Sequence, residues 1–247
     1  MFDAYILCGT PRTGSTLLCD LLTATGIAGR PDSFFMRDVD PVWGREWGLP
    51  APGAAGHDAD YLAAVIRAGR DRTGLFGLRL MRGNLEDMTA LLDRLHPGLP
   101  DDKARISAAF GRVLFLHLRR EDKLAQAVSL VKAEQTGLWH IAPDGRELER
   151  LAPPAAPVYD RARIARQLEA LEARDAAWEP WFVREGIAPL RIGYESLSAD
   201  PAATVRRICA ALGVGEPDPA TLRPGVARLA DRISAEWIAR FRAETPA

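Results

Sequence analysis

The sequence predicts an α/β protein in which a central parallel sheet is flanked by helices. The first apolar run, residues 5–8, is short and does not alternate, as expected of a strand buried on both faces. A loop containing glycine and proline follows, and residues 15–25 then place leucines at helical spacing. Short apolar runs continue to alternate with helical segments along the chain, which favours parallel β-α-β units.

The remaining elements follow from the same two periodicities. Further strands are predicted at three apolar runs, residues 74–81, 112–120 and 188–197. Helices are predicted near 59–69, 84–95, 123–135, 160–184, 201–212 and 234–243. Between them we expect a turn at 97–103, a surface connection at 141–158 and an irregular lid loop at about 30–57, which is rich in Pro, Gly and Trp. With no internal repeat, a single domain over residues 1–247 is predicted.

Charge and composition narrow the class of function. Lysine and arginine total 32 and aspartate and glutamate 33, so the formal net charge is −1. This balance gives no electrostatic basis for binding nucleic acid or an anionic membrane surface. No apolar stretch approaches the length of a membrane span, and we expect no membrane insertion.

Cysteine and histidine usage predicts a metal-free protein of a reducing compartment. The cysteines Cys8, Cys19 and Cys209 have neither an even count nor the spacing of metal ligands. The four histidines are scattered, and His117 lies in an apolar strand, where a core role is expected. Because the chain also begins without the pattern of a secretory signal, a cytoplasmic location is expected.

Residues 9–16, GTPRTGST, have the spacing of a phosphate-binding loop between a strand and a helix. Backbone N–H groups and the helix dipole favour an anion there, although a glycine turn can also simply join the two elements. In nucleotide triphosphatases a lysine follows the second glycine, whereas here that residue is Ser15. Arg12 is the cation of this loop, which favours a donor with a shorter anionic group.

The block TPRTGSTLL resembles the 5′-phosphosulfate loop of sulfotransferases that use 3′-phosphoadenosine-5′-phosphosulfate (PAPS). More narrowly, the chain resembles the bacterial trehalose 2-sulfotransferase family. The resemblance covers nearly the whole chain through blocks in the same order, at residues 24–35, 77–81, 116–139, 192–201 and 227–242. It implies a sulfotransferase with a fold like that of P-loop nucleotide triphosphatases, PAPS as donor, no metal, and a possible homodimer.

The resemblance also implies which residues bind the donor. Arg12 would act in catalysis and hold the 5′-phosphosulfate with the rest of its loop, Pro11, Thr13, Gly14, Ser15 and Thr16. Arg120 and Ser129 would hold the 3′-phosphate, as a guanidinium fork and a hydroxyl can, with Arg119 able to assist. The late arginine of the family matches Arg228, which would close over the donor.

The family's base is a glutamate in a Pro-x-Glu-aromatic motif, and Ser33 occupies that position here, between Asp32 and Phe34. A serine hydroxyl is far too weak a base at neutral pH. Asp32 is therefore a candidate base, and further candidates are carboxylates of the same loop, Asp38, Asp40 and Glu46. A third alternative is transfer without strong base assistance, through a loose transition state.

The resemblance implies a carbohydrate or glycolipid acceptor, although a lipid or small alcohol hydroxyl also fits the residues. Phe34, Trp43 and Trp47 are the candidate acceptor-binding residues, because aromatic rings stack on sugar faces. The two tryptophans could equally anchor a long loop. Two other functions stay open: a non-catalytic protein that binds PAPS or its product 3′-phosphoadenosine-5′-phosphate (PAP), and an ATP-dependent phosphotransferase.

Overall fold

The computed structural model describes residues 1–36, 40–227 and 229–244. The strands in it are Ala4–Gly9 (β1), Phe76–Met81 (β2), Val113–Arg119 (β3), Leu138–Ile141 (β4), Glu147–Arg150 (β5) and Leu190–Gly193 (β6). The α-helices are Ser15–Ala24 (α1), Asp40–Glu46 (α2), His57–Gly69 (α3), Leu85–Leu95 (α4), Asp102–Phe110 (α5), Lys123–Thr136 (α6), Arg161–Ala176 (α7), Trp178–Arg184 (α8), Tyr194–Ala199 (α9), Pro201–Leu212 (α10) and Arg232–Ala243 (α11). Single 3₁₀ turns lie at Arg82–Asn84 and Pro219–Thr221.

The central sheet is parallel, as predicted, with the strand order β2-β1-β3-β6. Its register aligns Gly9 at the end of β1 with Met81 of β2, and Arg119 at the end of β3 with Gly193 of β6. The carboxyl ends of these strands therefore share one edge of the sheet. The segments that follow them gather at this edge, which is where open α/β sheets bind ligands.

Helices cover both faces of the sheet, which explains why β1 is apolar without alternation. Ala4, Ile6 and Cys8 pack into a cluster with side chains of α3, α4, α5 and α8. Tyr5 and Leu7 face the opposite cluster, built from α1 and α10. Every residue of β1 is buried, so both sets of side chains are core positions.

Two helices, α7 and α8, replace the single long helix predicted over 160–184. The break falls at Ala177, between the end of α7 and Trp178. Pro180 lies in the first turn of α8, where its missing N–H is tolerated, whereas in the interior of a continuous helix it would break the hydrogen-bond ladder. Likewise, the predicted strand 188–197 ends at Gly193 and continues as α9.

Three further elements differ from the predictions. Residues 102–110 form helix α5, capped by the side chain of Asp101; a turn was predicted at 97–103 and no helix was predicted after it. The predicted surface connection at 141–158 instead contains most of an antiparallel hairpin, β4–β5. The predicted irregular loop at 30–57 contains α2. All three elements are short, and the apolar residues of α5 and of the hairpin are too few to set a clear period.

A buried ion-pair group fixes the end of β3 to the start of α6. The buried carboxylate of Asp175, on α7, pairs with Lys123 at 2.9 Å and with Arg119 at 3.1 Å. Burial alone would raise the pKa of Asp175, but the neighbouring His117 and Lys123, and then Arg119, outweigh it and hold this pKa well below its usual range. Arg120 lies in the short connection that this group fixes.

We expect Asp175→Asn to lower the free energy of unfolding by about 3 kcal/mol at pH 7, because it leaves the ammonium of Lys123 buried without its counter-charge. A depressed pKa stabilises the fold above the unfolded value, about 3.9 for aspartate, and this stabilisation is lost as the pH falls. Urea unfolding of both proteins between pH 7 and pH 3 measures the effect. A difference in stability that stays constant over that range would contradict it.

Candidate active site

The loop between β1 and α1 turns tightly at two residues in the left-handed region. Gly14 has φ 82° and directly precedes α1, and Arg12, with φ 65°, is the one non-glycine residue with positive φ in the described part of the chain. No side chain of the described residues caps α1 at Gly14. Its first N–H groups therefore remain available to an anion, which the helix dipole also favours.

Hydrogen bonds from side chains of α6, of α8 and of the loop itself support the backbone of this loop. The amide nitrogen of Gln126, on α6, donates to Thr10 Oγ1 at 2.9 Å and to the carbonyl of Pro11 at 2.6 Å. Trp178 donates its indole N–H to the carbonyl of Gly9 at 3.1 Å. Thr13 closes the turn by donating its hydroxyl to the carbonyl of Thr10 at 2.8 Å. Four side-chain hydrogen bonds thus support the conformation of this loop.

Tyr194 lies against the loop and was not singled out by the sequence. A Cβ atom added at Gly14 would lie 2.7 Å from Cδ2 of Tyr194, so only glycine fits there. The same ring lies under the guanidinium of Arg120, 4.5 Å from it. Tyr194 follows β6 directly, and this position at the carboxyl edge of the sheet was the available signal.

Arg12, Arg120 and Ser129 come together although more than 100 residues separate Arg12 from the other two. Arg12 donates from Nε to Ser129 Oγ at 3.0 Å and from Nη1 to the carbonyl of Trp139 at 2.9 Å. Arg120 donates from Nη1 to the carbonyl of Arg12 at 3.3 Å. Burial, and then the positive charge of Arg120, lower the pKa of Arg12 to about 10, so it stays protonated at neutral pH.

Arg79, on β2, links the phosphate loop to the segment after α1. Its guanidinium donates to Thr16 Oγ1 at 3.0 Å, to Ser33 Oγ at 2.7 Å and to Asp32 Oδ1 at 3.1 Å. Asp32 Oδ1 also accepts the backbone N–H of Ser33 at 2.7 Å. Arg79 belongs to the sequence block 77–81, and a cation near the carboxyl end of a predicted strand was a usable signal for a role at the site.

A cleft of about 530 Å³ lies beside α1 and opens next to Asp32. One wall is a face of α1 with Cys19, Asp20, Thr23 and Ala24, and the other walls are Arg30–Asp32 together with Phe34, Trp43, Trp47 and Ala68. The two tryptophan rings stack at 5.1 Å and also pack against the core. Both roles considered for them, lining a binding surface and anchoring the segment, are therefore compatible.

The hairpin β4–β5 brings an imidazole to the phosphate loop. His140 Nε2 lies 3.1 Å from Thr16 Oγ1 and 3.3 Å from Glu149 Oε2. Burial, and then the charges of Arg12 and Arg79, lower the pKa of His140 to about 4, so the ring is neutral at pH 7. Sequence reasoning missed His140, because a single histidine without a partner at a defined spacing carries no pattern.

Residues 4–244 match the family model of Stf0 sulphotransferase. The chain belongs to this family. It is 32% identical over 275 residues to a trehalose 2-sulfotransferase of Mycobacterium tuberculosis, covering 98% of this chain and 95% of the relative. It is 31% identical over 268 residues to a trehalose 2-sulfotransferase of Mycolicibacterium smegmatis, covering 97% and 94%.

The family resemblance inferred from the sequence blocks is thereby confirmed, and the protein is a sulfotransferase. Among solved structures, a sulfotransferase from Alicyclobacillus acidocaldarius aligns over 97% of this chain and 90% of its own, at 17% identity. The TM-score of 0.43 is too low for that alignment to support an argument.

Some candidate residues of this Stf0 sulfotransferase lie outside the described part of the chain, and one lies away from the cleft. Arg228 and Asp38 lie outside the described residues, and so does the side chain of Asp40. Glu46 is exposed on α2 and does not line the cleft. Within the described ranges, no group of three or more His, Cys, Asp or Glu residues is placed to hold a metal ion. No helix in those ranges is long and apolar enough to cross a membrane.

We expect Gly14→Ala to lower the free energy of unfolding of the sulfotransferase by about 3 kcal/mol, because the new methyl group adds a clash with Tyr194 to the left-handed strain. Gly26→Ala is the matched control. Gly26 also has positive φ, 65°, but a Cβ there meets nothing within 4 Å, so about 1 kcal/mol of strain alone is expected. Equal losses in the two variants, measured by urea unfolding, would contradict the role given to Tyr194.

Proposed function

We propose that this enzyme transfers a sulfuryl group from PAPS to a hydroxyl of a carbohydrate or glycolipid acceptor. The observation that carries the proposal is the joint position of Arg12, Arg120 and Ser129 at the phosphate loop. Two guanidinium groups lie close together, and the described hydrogen-bond partners of Arg12 are a hydroxyl and a carbonyl rather than a carboxylate. Such a pair is suited to a ligand that carries two separate anionic groups.

The loop would hold the 5′-phosphosulfate. The free N–H groups at the start of α1 and the hydroxyls of Ser15 and Thr16 are suitable donors, and Gly14 lets the backbone approach the anion. Pro11 and Thr13 would keep the loop in shape, and Arg12 would place its positive charge on the bridge between phosphate and sulfate. PAPS supplies the activated sulfuryl group; the residues named here bind and orient it.

Arg120 and Ser129 would hold the 3′-phosphate, with Arg228 closing over the donor. Support comes from Arg120 itself, whose guanidinium lies on Tyr194 and bonds the phosphate loop at Arg12, so it borders both predicted phosphate positions. Arg119 is committed to Asp175 and is not needed for this role. An ATP-dependent phosphotransferase is disfavoured, because Ser15 replaces the lysine and because basic residues end β3 where an acidic magnesium ligand would be expected.

The cleft beside α1 would bind the acceptor. Its aromatic side chains, Phe34, Trp43 and Trp47, suit the apolar face of a sugar ring, and its carboxylates, Asp20 and Asp32, suit sugar hydroxyls. Burial raises the pKa of Asp20. The charge of Arg79 lowers this pKa, and the charge of Asp32 raises it further. Because the two relatives are named trehalose 2-sulfotransferases, trehalose is the first acceptor to test.

In this proposal Ser33 is a positioning residue, and Asp32 stays a candidate base. The hydroxyl oxygen of Ser33 accepts a hydrogen bond from Arg79, which also bonds Thr16 of the phosphate loop. Ser33 therefore helps to fix the guanidinium that connects the acceptor cleft with the loop. Asp32 borders the cleft directly and shares the same guanidinium.

We expect Arg12→Ala and Arg120→Ala each to weaken PAP binding by about 10- to 100-fold, since each removes a charge-assisted hydrogen bond worth about 1.5–3 kcal/mol. Isothermal titration calorimetry on the folded variants measures the change. Arg206→Ala is the control, because Arg206 is exposed on α10 and forms an ion pair with Glu216. Wild-type affinity in both test variants would refute the donor site.

A further inference from the structure

Sulfuryl transfer to a hydroxyl releases a proton, and a base at the site that takes this proton speeds the transfer. As the acceptor oxygen bonds to sulfur, the S–O bond to the 5′-phosphate breaks and its electron pair stays on the phosphate oxygen. The hydroxyl proton then goes to a base. Ser33 is not that base, because its oxygen accepts from Arg79 and a serine is too weak at neutral pH. Asp32 Oδ1 already accepts two hydrogen bonds.

We propose that His140 takes this proton on its Nε2 atom, an inference that rests on the function proposed above. Nε2 lies 3.1 Å from the hydroxyl oxygen of Thr16, a residue of the phosphate loop itself. A sulfuryl group held at that loop would therefore lie within the neighbourhood of the imidazole. The half-buried imidazole of His140 lies on the hairpin β4–β5. It therefore contacts the phosphate loop without being part of it.

The hydrogen bonds of Thr16 show how the nitrogen becomes available. A threonine hydroxyl has one hydrogen and two lone pairs, and Arg79 donates to one lone pair at 3.0 Å. In this proposal neutral His140 is assigned the tautomer with its hydrogen on Nδ1, so that the hydroxyl hydrogen of Thr16 points to Nε2. When a bound phosphosulfate accepts the hydrogen bond of the Thr16 hydroxyl instead, the lone pair of Nε2 becomes available to accept from the acceptor hydroxyl.

Charge explains why His140 would become basic only with donor bound. The charged groups that face it are Arg12 from the loop, Arg79 from β2 and Glu149 from β5. Burial and the two arginines lower its pKa to about 4 in the free enzyme. A donor anion offsets the charge of both arginines, so we expect the pKa of His140 to rise when the site is filled.

Glu149 is placed to stabilise the imidazolium that results. It lies opposite His140 in the antiparallel register of the hairpin, and its Oε2 atom is 3.3 Å from Nε2. The hairpin is in turn connected to the loop, because Arg12 donates to the carbonyl of Trp139 at 2.9 Å. The position of His140 is therefore set by its cross-strand pair with Glu149 in the hairpin, and not by the segments that follow the strands of the central sheet.

The kinetic test compares the wild-type enzyme with two variants, with PAPS as donor and trehalose as acceptor. We expect His140→Gln to lower kcat by about 100-fold, the usual contribution of a general base, and to remove the fall of kcat at acidic pH. PAP affinity should stay within about threefold, which separates a chemical role from a structural one. His96→Gln, at the end of α4, is the matched control and should behave as wild type.

The second measurement needs no acceptor. The imidazole signal of His140, assigned by its loss in His140→Gln, is followed by NMR as a function of pH with and without PAP. We expect a midpoint near 4 in the free enzyme and a higher midpoint in the PAP complex. A merely structural histidine would keep its midpoint.

Each outcome decides between the two proposals. Wild-type enzyme that binds no PAP would overturn the proposed function and the role of His140 together. PAP binding with an unchanged His140 midpoint would overturn the role of His140 alone. Wild-type kcat in His140→Gln, combined with a large loss in Asp32→Asn, would do the same and assign the base to Asp32.

Discussion

The left-handed turn between β1 and α1 is the constraint on which the rest of the site depends. Gly14 must adopt φ 82° directly before the helix, beside a ring that leaves no space for a side chain. This turn leaves the first N–H groups of α1 free and directs Arg12 away from the helix toward α6. Gln126 and Trp178 hold the turn from two other helices, so the N–H groups that we propose bind the donor are in place before it arrives.

Positively charged guanidinium groups lie close together around this turn, and their mutual repulsion would be reduced by a bound anion. Arg12 is half-buried beside Arg120, and its pKa is lowered to about 10 by burial and by that neighbour. Arg79 adds a third guanidinium on the other side of Thr16. A bound anion would offset the charges of Arg12 and Arg120, whereas Arg79 is already paired with Asp32. The same electrostatics would therefore favour the proposed donor and, through it, the proposed basicity of His140.

The sequence was sufficient to predict the sheet and the loop, because both depend on local patterns: non-alternating buried strands, and glycines at fixed spacing. The sequence blocks also singled out Arg12, Arg120 and Ser129 as candidate donor-binding residues, and in the structure these three residues are in contact. Arg79, Tyr194 and His140 were missed. Their positions depend on tertiary contacts at the sheet edge and on a short hairpin, and no periodicity in the sequence marks either.

The most direct test of the central claim is a calorimetric titration of the wild-type enzyme with PAP and with ADP, in EDTA. The two nucleotides differ in whether the second phosphate is on the ribose 3′ position or on the 5′ chain. If Arg120 and Ser129 hold a 3′-phosphate, PAP should bind at least about tenfold more tightly than ADP. Equal affinity for the two would contradict the donor site built around Arg12, Arg120 and Ser129.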